Sequence, residues 1–235
     1  MANILNIESS GDVCSVALAV DGKIMHIREV NEPNIHSKML TVFIEELFRE
    51  SEISISEIDA VAVSKGPGSY TGLRIGVSAA KGVAYGRDVP LISVDTLQSM
   101  AWGMRELLLK EDKLKQDILL CPMTDARRME VYSAFFDNDL NAVKPISADI
   151  IDADSYADFF KNHPLVFFGS GAAKCKESLS HDNAVFDYNL LPSARWTAPL
   201  AEAKFQKKDF EDTAYFEPFY LKNFIAKIPT KHVYG

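Results

Sequence analysis

Apolar and β-branched residues cluster in short runs over the first thirty positions, which is typical of strands. The runs cover residues 4–7, 14–20 and 23–29, and the last two are separated by Asp21-Gly22, a dipeptide that favours tight hairpin turns. Residues 36–50 instead place apolar side chains three or four positions apart, which predicts an amphipathic helix. We therefore expect three antiparallel strands followed by a helix.

The same order of elements is repeated in the second part of the chain. In the first part the helix is followed by a predicted strand, helix, strand and helix at residues 60–64, 71–85, 91–94 and 96–109. A charged stretch, KEDKLKQD at residues 110–117, is the best boundary. Beyond it the pattern predicts strands at 118–123, 130–136 and 143–151, a helix at 154–161, a strand at 165–168 and a helix at 172–179. Two successive units of this kind indicate a duplication.

Three antiparallel strands that lead into helix-strand crossovers predict a mixed sheet flanked by helices. Present twice, this arrangement is an α/β fold of the duplicated ribonuclease-H-like type, also described as actin-like or Hsp70-like (ASKHA). We expect one half over residues 1–109 and the other over residues 110–235. The fold alone says little about chemistry.

Composition and charge exclude several classes of protein. The 235 residues include 25 Lys and Arg against 33 Asp and Glu, a formal net charge of -8, which argues against a free-standing nucleic-acid binder. The three cysteines form no CxxC pair, so disulfide scaffolds and zinc knuckles are not expected. Neither a basic leader nor a run of about 18 apolar residues is present, and we expect a cytoplasmic protein without membrane segments.

The most informative segment is the glycine-rich loop SKGPGSYTGLRIG at residues 64–76, which follows a predicted strand and opens a helix. Its glycines permit positive φ, its proline stiffens the loop, and either hydroxyl residue can cap the helix. Free N–H groups with an arginine one turn later could also hold an anion. The loop is not a P-loop, and both interpretations stay open. The residues concerned are Gly66, Pro67, Gly68, Ser69, Thr71, Gly72 and Arg74.

An actin-like enzyme needs carboxylates beside its phosphate turns. The candidates are Glu8, followed by Ser9, and Asp125 in the corresponding turn of the second half, which together form a possible vestigial nucleotide site. ATP hydrolysis is therefore one alternative function. No two of the five histidines lie three or four residues apart, so a metal site built on one helix is not expected.

Several motifs in the same order resemble one protein family. GPGSYTGLRIG at residues 66–76 resembles the signature of the bacterial TsaB (YeaZ) family, the non-catalytic relatives of the tRNA-modification enzyme TsaD. The opening at residues 4–18, the stretch at 80–101, DARRMEVYSAFF at 125–136 and PFYLK at 218–222 are similar as well. Glu8 stands where the family more often has Asp, and Lys222 replaces an Arg.

The resemblance implies a non-catalytic subunit without a cofactor or metal of its own. Such a subunit pairs with TsaD, and with the ATPase TsaE supports threonylcarbamoyl transfer to N6 of adenosine 37 in tRNA, which it contacts only through the complex. Residues 94–100 lack the histidine pair that binds metal in TsaD. An autonomous ATPase or kinase of the same fold and a metal-dependent peptidase remain alternatives.

The expected partner surface lies on the two helices of the first half. The family uses these helices to pair with TsaD, or with a second copy when TsaD is missing. Small residues along the second helix would let a partner helix approach closely. The candidate contacts are Met39, Phe43, Leu47, Gly76, Ala79 and Val83. Residues 221–235 contain three lysines and no acid, and we expect a solvated tail there, with a minor tRNA contact as the alternative.

Overall fold

The computed structural model describes residues 1–186 and 189–222, which contain two five-stranded sheets. In the first sheet, three consecutive strands pair antiparallel and the next two join parallel to the first strand. The register sets Leu5 opposite Leu18 on one side and Val61 on the other. These strands are β1 (Asn3–Glu8), β2 (Val13–Val20), β3 (Lys23–Asn31), β4 (Ala60–Gly66) and β5 (Leu91–Asp95), in the spatial order β3-β2-β1-β4-β5.

Three long helices belong to this first part of the chain: α1 (His36–Glu50), α2 (Tyr70–Arg87) and α3 (Thr96–Lys110). A 3-10 turn at Ile55–Glu57 precedes β4. All three helices and all five strands lie where the sequence pattern predicts them. Successive side chains of β1 point to opposite faces of the sheet. Leu5 and Ile7 pack with α1 and α2 on one face, while Ile4 lies on the other face.

The second sheet repeats the first. Its strands, β6 (Leu119–Asp125), β7 (Glu130–Phe136), β8 (Ala142–Ile150), β9 (Leu165–Phe168) and β10 (Ala184–Val185), lie in the order β8-β7-β6-β9-β10. Three antiparallel strands are again followed by two strands parallel to the first. The predicted duplication is therefore confirmed, and the fold is the duplicated ribonuclease-H-like type.

Helix α3 lies between the two sheets. Leu97, Met100 and Met104 are fully buried against one face of the second sheet. The other face is covered by two short helices, α4 (Ala157–Phe160) and α5 (Ala172–Cys175). Both are shorter than predicted. At α4 the reason is local, since Tyr156 has a φ of 66°, a left-handed conformation that no helix interior can contain.

One helix is missing from the sequence-based expectation. Helix α6 (Ala194–Gln206) follows the second sheet in the chain but packs on the first, where its buried side chains are mostly small, such as Ala198 and Ala201. Such residues give a weak apolar pattern, and Pro199 lies inside the helix. The division at residues 109 and 110 stays a prediction. Within the described residues, no helix is long and apolar enough to cross a membrane.

Candidate functional site

The glycine-rich loop packs directly on the turn that follows β1. Ser69 is the N-cap of α2, because its Oγ accepts a hydrogen bond from the Gly72 N–H at 3.3 Å. The Ser69 N–H donates in turn to the carbonyl oxygen of Ser10 at 2.7 Å. A Cβ on Gly68 would lie 2.3 Å from that same oxygen. The loop therefore needs glycine so that the two backbones can approach each other.

This packing favours a structural role for the loop over an anion site. Two N–H groups at the start of α2, those of Ser69 and Gly72, are used within the chain. The guanidinium of Arg74, predicted as an anion ligand, lies over the Tyr70 ring at 4.4 Å, and its Nε donates to the Tyr220 hydroxyl at 3.3 Å. Gly66 has a φ of 110°, and its peptide bond to Pro67 is cis.

Glu8 is sealed from solvent at the end of β1. Its Oε1 accepts hydrogen bonds from the Ser10 N–H at 2.6 Å and from the Ser64 Oγ at 2.9 Å. Its Oε2 has no hydrogen-bond partner within the described residues. Burial raises the pKa of Glu8, an effect that the hydrogen bonds from Ser10 and Ser64 partly oppose. A buried carboxyl group without solvent access is poorly suited to holding Mg²⁺.

A cleft of about 610 Å³ opens between the two halves of the molecule. Of the three residues predicted as a vestigial nucleotide site, Asp125 lines this cleft, whereas Glu8 and Ser9 are fully buried outside its lining. Asp125 forms an ion pair with Lys174. The cleft is lined by Ser10, Gly68, Thr71, Thr124, Tyr132 and Ser170, among others, and by residues 219–222.

The C-terminal segment reaches this cleft, which corrects the expectation of a solvated tail beginning at residue 221. Leu221 and Lys222 line the cleft, and Lys222 forms an ion pair with Glu130 of β7. Its Nζ also lies 5.9 Å from the Tyr132 ring centroid. The remaining lysines of the predicted tail lie outside the described residues. The PFYLK motif identified this segment as one shared with the family. Nothing in the sequence indicated that the segment contacts residues 130–132.

The six predicted partner contacts on α1 and α2 fall into a buried group and a half-buried group. Phe43 and Leu47 are buried in the core under α1, and Gly76 is buried against the Ser9 side chain. These three are therefore not available to a partner in the folded chain. Met39, Ala79 and Val83 are half-buried and pack on the edge of the same core.

The side of α2 that faces away from the core includes residues outside the list of candidate contacts, although Gly86 is one of the small residues along this helix. Ser78, Gly82, Tyr85 and Gly86 are exposed, and the Tyr85 side chain is 85% exposed. A Cβ placed on Gly82 or Gly86 would meet nothing within 4 Å. Against residues 1–186 and 189–222, these two glycines therefore have no packing role, unlike Gly76. Their spacing of four residues on one helix was the signal that could have identified them.

The described part of the chain contains no cluster of side chains suited to binding a metal ion. Among residues 1–186 and 189–222, no three or more His, Cys, Asp and Glu side chains lie together in a way that could hold a metal ion. His36 is buried at the start of α1, and its Nε2 lies 3.2 Å from the carbonyl oxygen of Val13.

Comparisons with known proteins agree on one family. The family model of TsaD, described as tRNA N6-adenosine threonylcarbamoyltransferase, matches residues 33–230. The tRNA threonylcarbamoyladenosine biosynthesis protein TsaB of Haemophilus influenzae is 28% identical over 96% of this chain and 97% of its own length. The TsaB protein of Escherichia coli is 29% identical over 97% and 99%.

A solved structure supports the same fold. YeaZ from Pseudomonas aeruginosa superposes with a TM-score of 0.78 at 22% identity, covering 94% of this chain and 100% of that one. The family model spans most of the chain, and a TsaB protein of Buchnera aphidicola is 33% identical over 89% of this chain and 93% of its own length. The chain belongs to the TsaD family and, within it, to the TsaB (YeaZ) group.

Proposed function

We propose that this chain is a non-catalytic subunit of the tRNA threonylcarbamoyladenosine machinery and that it activates a TsaD-type transferase by pairing with it. The helix surface formed by the exposed sides of α1 and α2 makes the contact. TsaE joins the larger complex, and tRNA is contacted only through the assembly. The same helix surface would pair two copies of this chain when TsaD is absent. Cytoplasmic localisation follows from this role.

The observation that carries the proposal is the exposed side of α2. Glycine inside a helix costs about 1 kcal/mol relative to alanine, and Gly82 receives no compensating contact within the described chain. A second helix packed here could approach α2 closely, since no Cβ stands in the way. Met39, Ala79 and Val83 lie at the margin of the same surface, half-buried and apolar.

Three further observations support a non-catalytic role. Glu8 is fully buried and hydrogen-bonded within the chain, so the acid expected beside a phosphate turn has no access to the cleft. Asp125 does line the cleft, but it is already paired with Lys174. The relatives that match along nearly their whole length are named as biosynthesis proteins rather than as the transferase.

The test is reconstitution of threonylcarbamoyl transfer to tRNA with TsaD and TsaE, with and without this chain. We expect the activity to require the chain and to survive the combined substitutions Glu8→Gln, Ser69→Ala and Asp125→Asn. Transfer that proceeds equally well without the chain would contradict the activating role. Binding and hydrolysis of ATP by the isolated chain, measured by calorimetry with Mg²⁺, would favour the ATPase alternative.

The surface itself is tested with Gly82→Arg, because an arginine at this position has open space in the isolated chain. We expect it to leave the fold unchanged and to abolish co-elution with TsaD. Ala203→Arg is the matched control, since Ala203 is an exposed position on α6, which covers the opposite face of the first sheet. Co-elution of the Gly82→Arg variant at the level of the control would exclude α2 as the contact.

A further inference from the structure

We infer that residues 211–222 act as a clasp that holds the cleft between the two halves at one opening, with the Lys222–Glu130 ion pair as its latch. This segment, called the clasp below, crosses from the first half to the second on the side where the cleft opens. The inference does not depend on the function proposed above, because it concerns the geometry of the isolated chain.

The first part of the clasp is held on the edge of the first sheet. The Glu211 N–H donates to the Leu91 carbonyl oxygen at 2.8 Å, which forms an isolated bridge to β5. The Ser93 Oγ donates to the Glu211 Oε1 at 2.5 Å. Lys81 of α2 donates to the carbonyl oxygens of residues 214 and 216, at 3.0 and 3.1 Å. The clasp therefore begins as a fixed part of the first half.

The middle of the clasp passes over the glycine-rich loop. The Phe219 N–H donates to the Lys65 carbonyl oxygen at 2.7 Å. A Cβ on Gly66 would lie 2.9 Å from the Phe219 carbonyl oxygen, so glycine is needed for this crossing. The next ring, Tyr220, lies 4.9 Å from the Tyr70 ring, centroid to centroid.

Among the described residues, the end of the clasp forms its ion pair with the second half through Lys222. Lys222 forms an ion pair with Glu130, the first residue of β7, and its Nζ lies near the Tyr132 ring. The Lys222 side chain is 38% exposed and that of Glu130 is 23% exposed, so water and salt reach the pair. The clasp is thus fixed to one half by many contacts and tied to the other by a partly exposed ion pair, a reversible connection.

The position of the latch lets it limit the angle between the two halves. Two other connections join the halves: α3, which starts at the end of β5 and packs on the second sheet, and the return of the chain from β10 to α6, which packs on the first sheet. The latch crosses the cleft separately from both. Each additional connection narrows the range of angles between two bodies, so losing the latch should widen the range of openings.

The experiment is a distance measurement by electron paramagnetic resonance between spin labels at Glu45→Cys on α1 and Ala153→Cys after β8. Both positions are exposed, whereas the native cysteines are buried. We expect a narrow distribution in the parent chain. The Lys222→Met variant should give a longer mean distance and a broader distribution, and Glu130→Gln should do the same. The Lys222→Arg variant should restore the parent distribution.

Salt and a matched control separate the latch from general charge effects. At about 1 M salt, where the Debye length is about 3 Å, the parent chain should approach the Lys222→Met distribution, and that variant should not change further. Lys161→Met removes an ion pair with Asp158 that lies within one half, and it should leave the distance unchanged. A Lys222→Met variant that is folded by circular dichroism and shows the parent distribution would overturn the inference.

Discussion

Replacing Gly82 with alanine tests whether the outer side of α2 is free of contacts in the isolated chain. A Cβ at this position would meet no atom within 4 Å, and the backbone is helical. Gly76, six residues earlier on the same helix, is the matched comparison. A Cβ there would lie 2.0 Å from the Ser9 Oγ and 3.1 Å from the Ser9 Cβ. A glycine-to-alanine substitution therefore places its methyl group in open space at residue 82 and against the Ser9 side chain at residue 76.

The two substitutions should change the free energy of unfolding in opposite directions. Gly82→Ala gains helix propensity and reduces the freedom of the unfolded chain, so we expect about 0.5–1 kcal/mol of added stability. In a domain of this size, about 1 kcal/mol raises the melting temperature by roughly 2–4 °C. Gly76→Ala forces the buried Ser9 side chain or the helix to move, and overpacking of this kind costs about 1–3 kcal/mol.

The assay is urea unfolding of both variants and the parent at low protein concentration, followed by circular dichroism. A matched loss of stability in Gly82→Ala and Gly76→Ala would refute the reasoning, because it would mean that both glycines are packed within the chain. Gly82→Ala should in addition weaken binding to TsaD, since the new methyl group stands where the proposed partner helix approaches. Stability and binding would then move in opposite directions.

Two other predictions concern the loop and the buried acid. Ser69→Ala removes the N-cap of α2 and should lower the free energy of unfolding by about 1 kcal/mol. The control Thr71→Ala removes no cap and should change the free energy of unfolding little. Equal effects of the two variants in urea unfolding would contradict the assignment of Ser69 as the N-cap. Burial raises the pKa of Glu8, so the folded state binds this proton more tightly than the unfolded state, and its contribution to stability falls as pH rises above about 4.3, the usual pKa of the unfolded side chain. The stability of Glu8→Gln relative to the parent should therefore increase as pH rises above about 4.3, and a constant difference would contradict this account.

The order of elements follows from the sequence because each signal is local. The Asp21-Gly22 turn, the apolar spacing along α1 and the strand before Gly66 depend on residues close in the chain, and the repeated order then gives the topology. Helix α6 was missed for a physical reason. Its buried residues are alanines and a threonine, and its docking depends on Gly103 of α3, where any Cβ would lie 2.6 Å from the Trp196 ring.

The candidate surfaces were less predictable, since the sequence does not say which way a small residue faces. Gly76 and Gly82 have the same identity on the same helix, yet one is covered by Ser9 and the other is open. The spacing of Phe43 and Leu47 predicted a helix because it creates an apolar face along α1. The helix buries this face in the core, so both candidate contacts pack inward. A strong helical pattern identifies the core face more readily than a partner face.

The glycine-rich loop and the clasp together provide contacts within the chain on both sides of the cleft. In the loop, Gly68 and Gly72 let the turn after β1 lie against the start of α2, and the Ser69 N–H is occupied by the Ser10 carbonyl oxygen. The clasp then covers this loop, and Lys222 continues to the second half. Contacts within the chain thus hold the floor of the cleft and connect its sides. A chain built in this way would hold α1 and α2 in a fixed frame, which is the arrangement that the proposed pairing with TsaD would use.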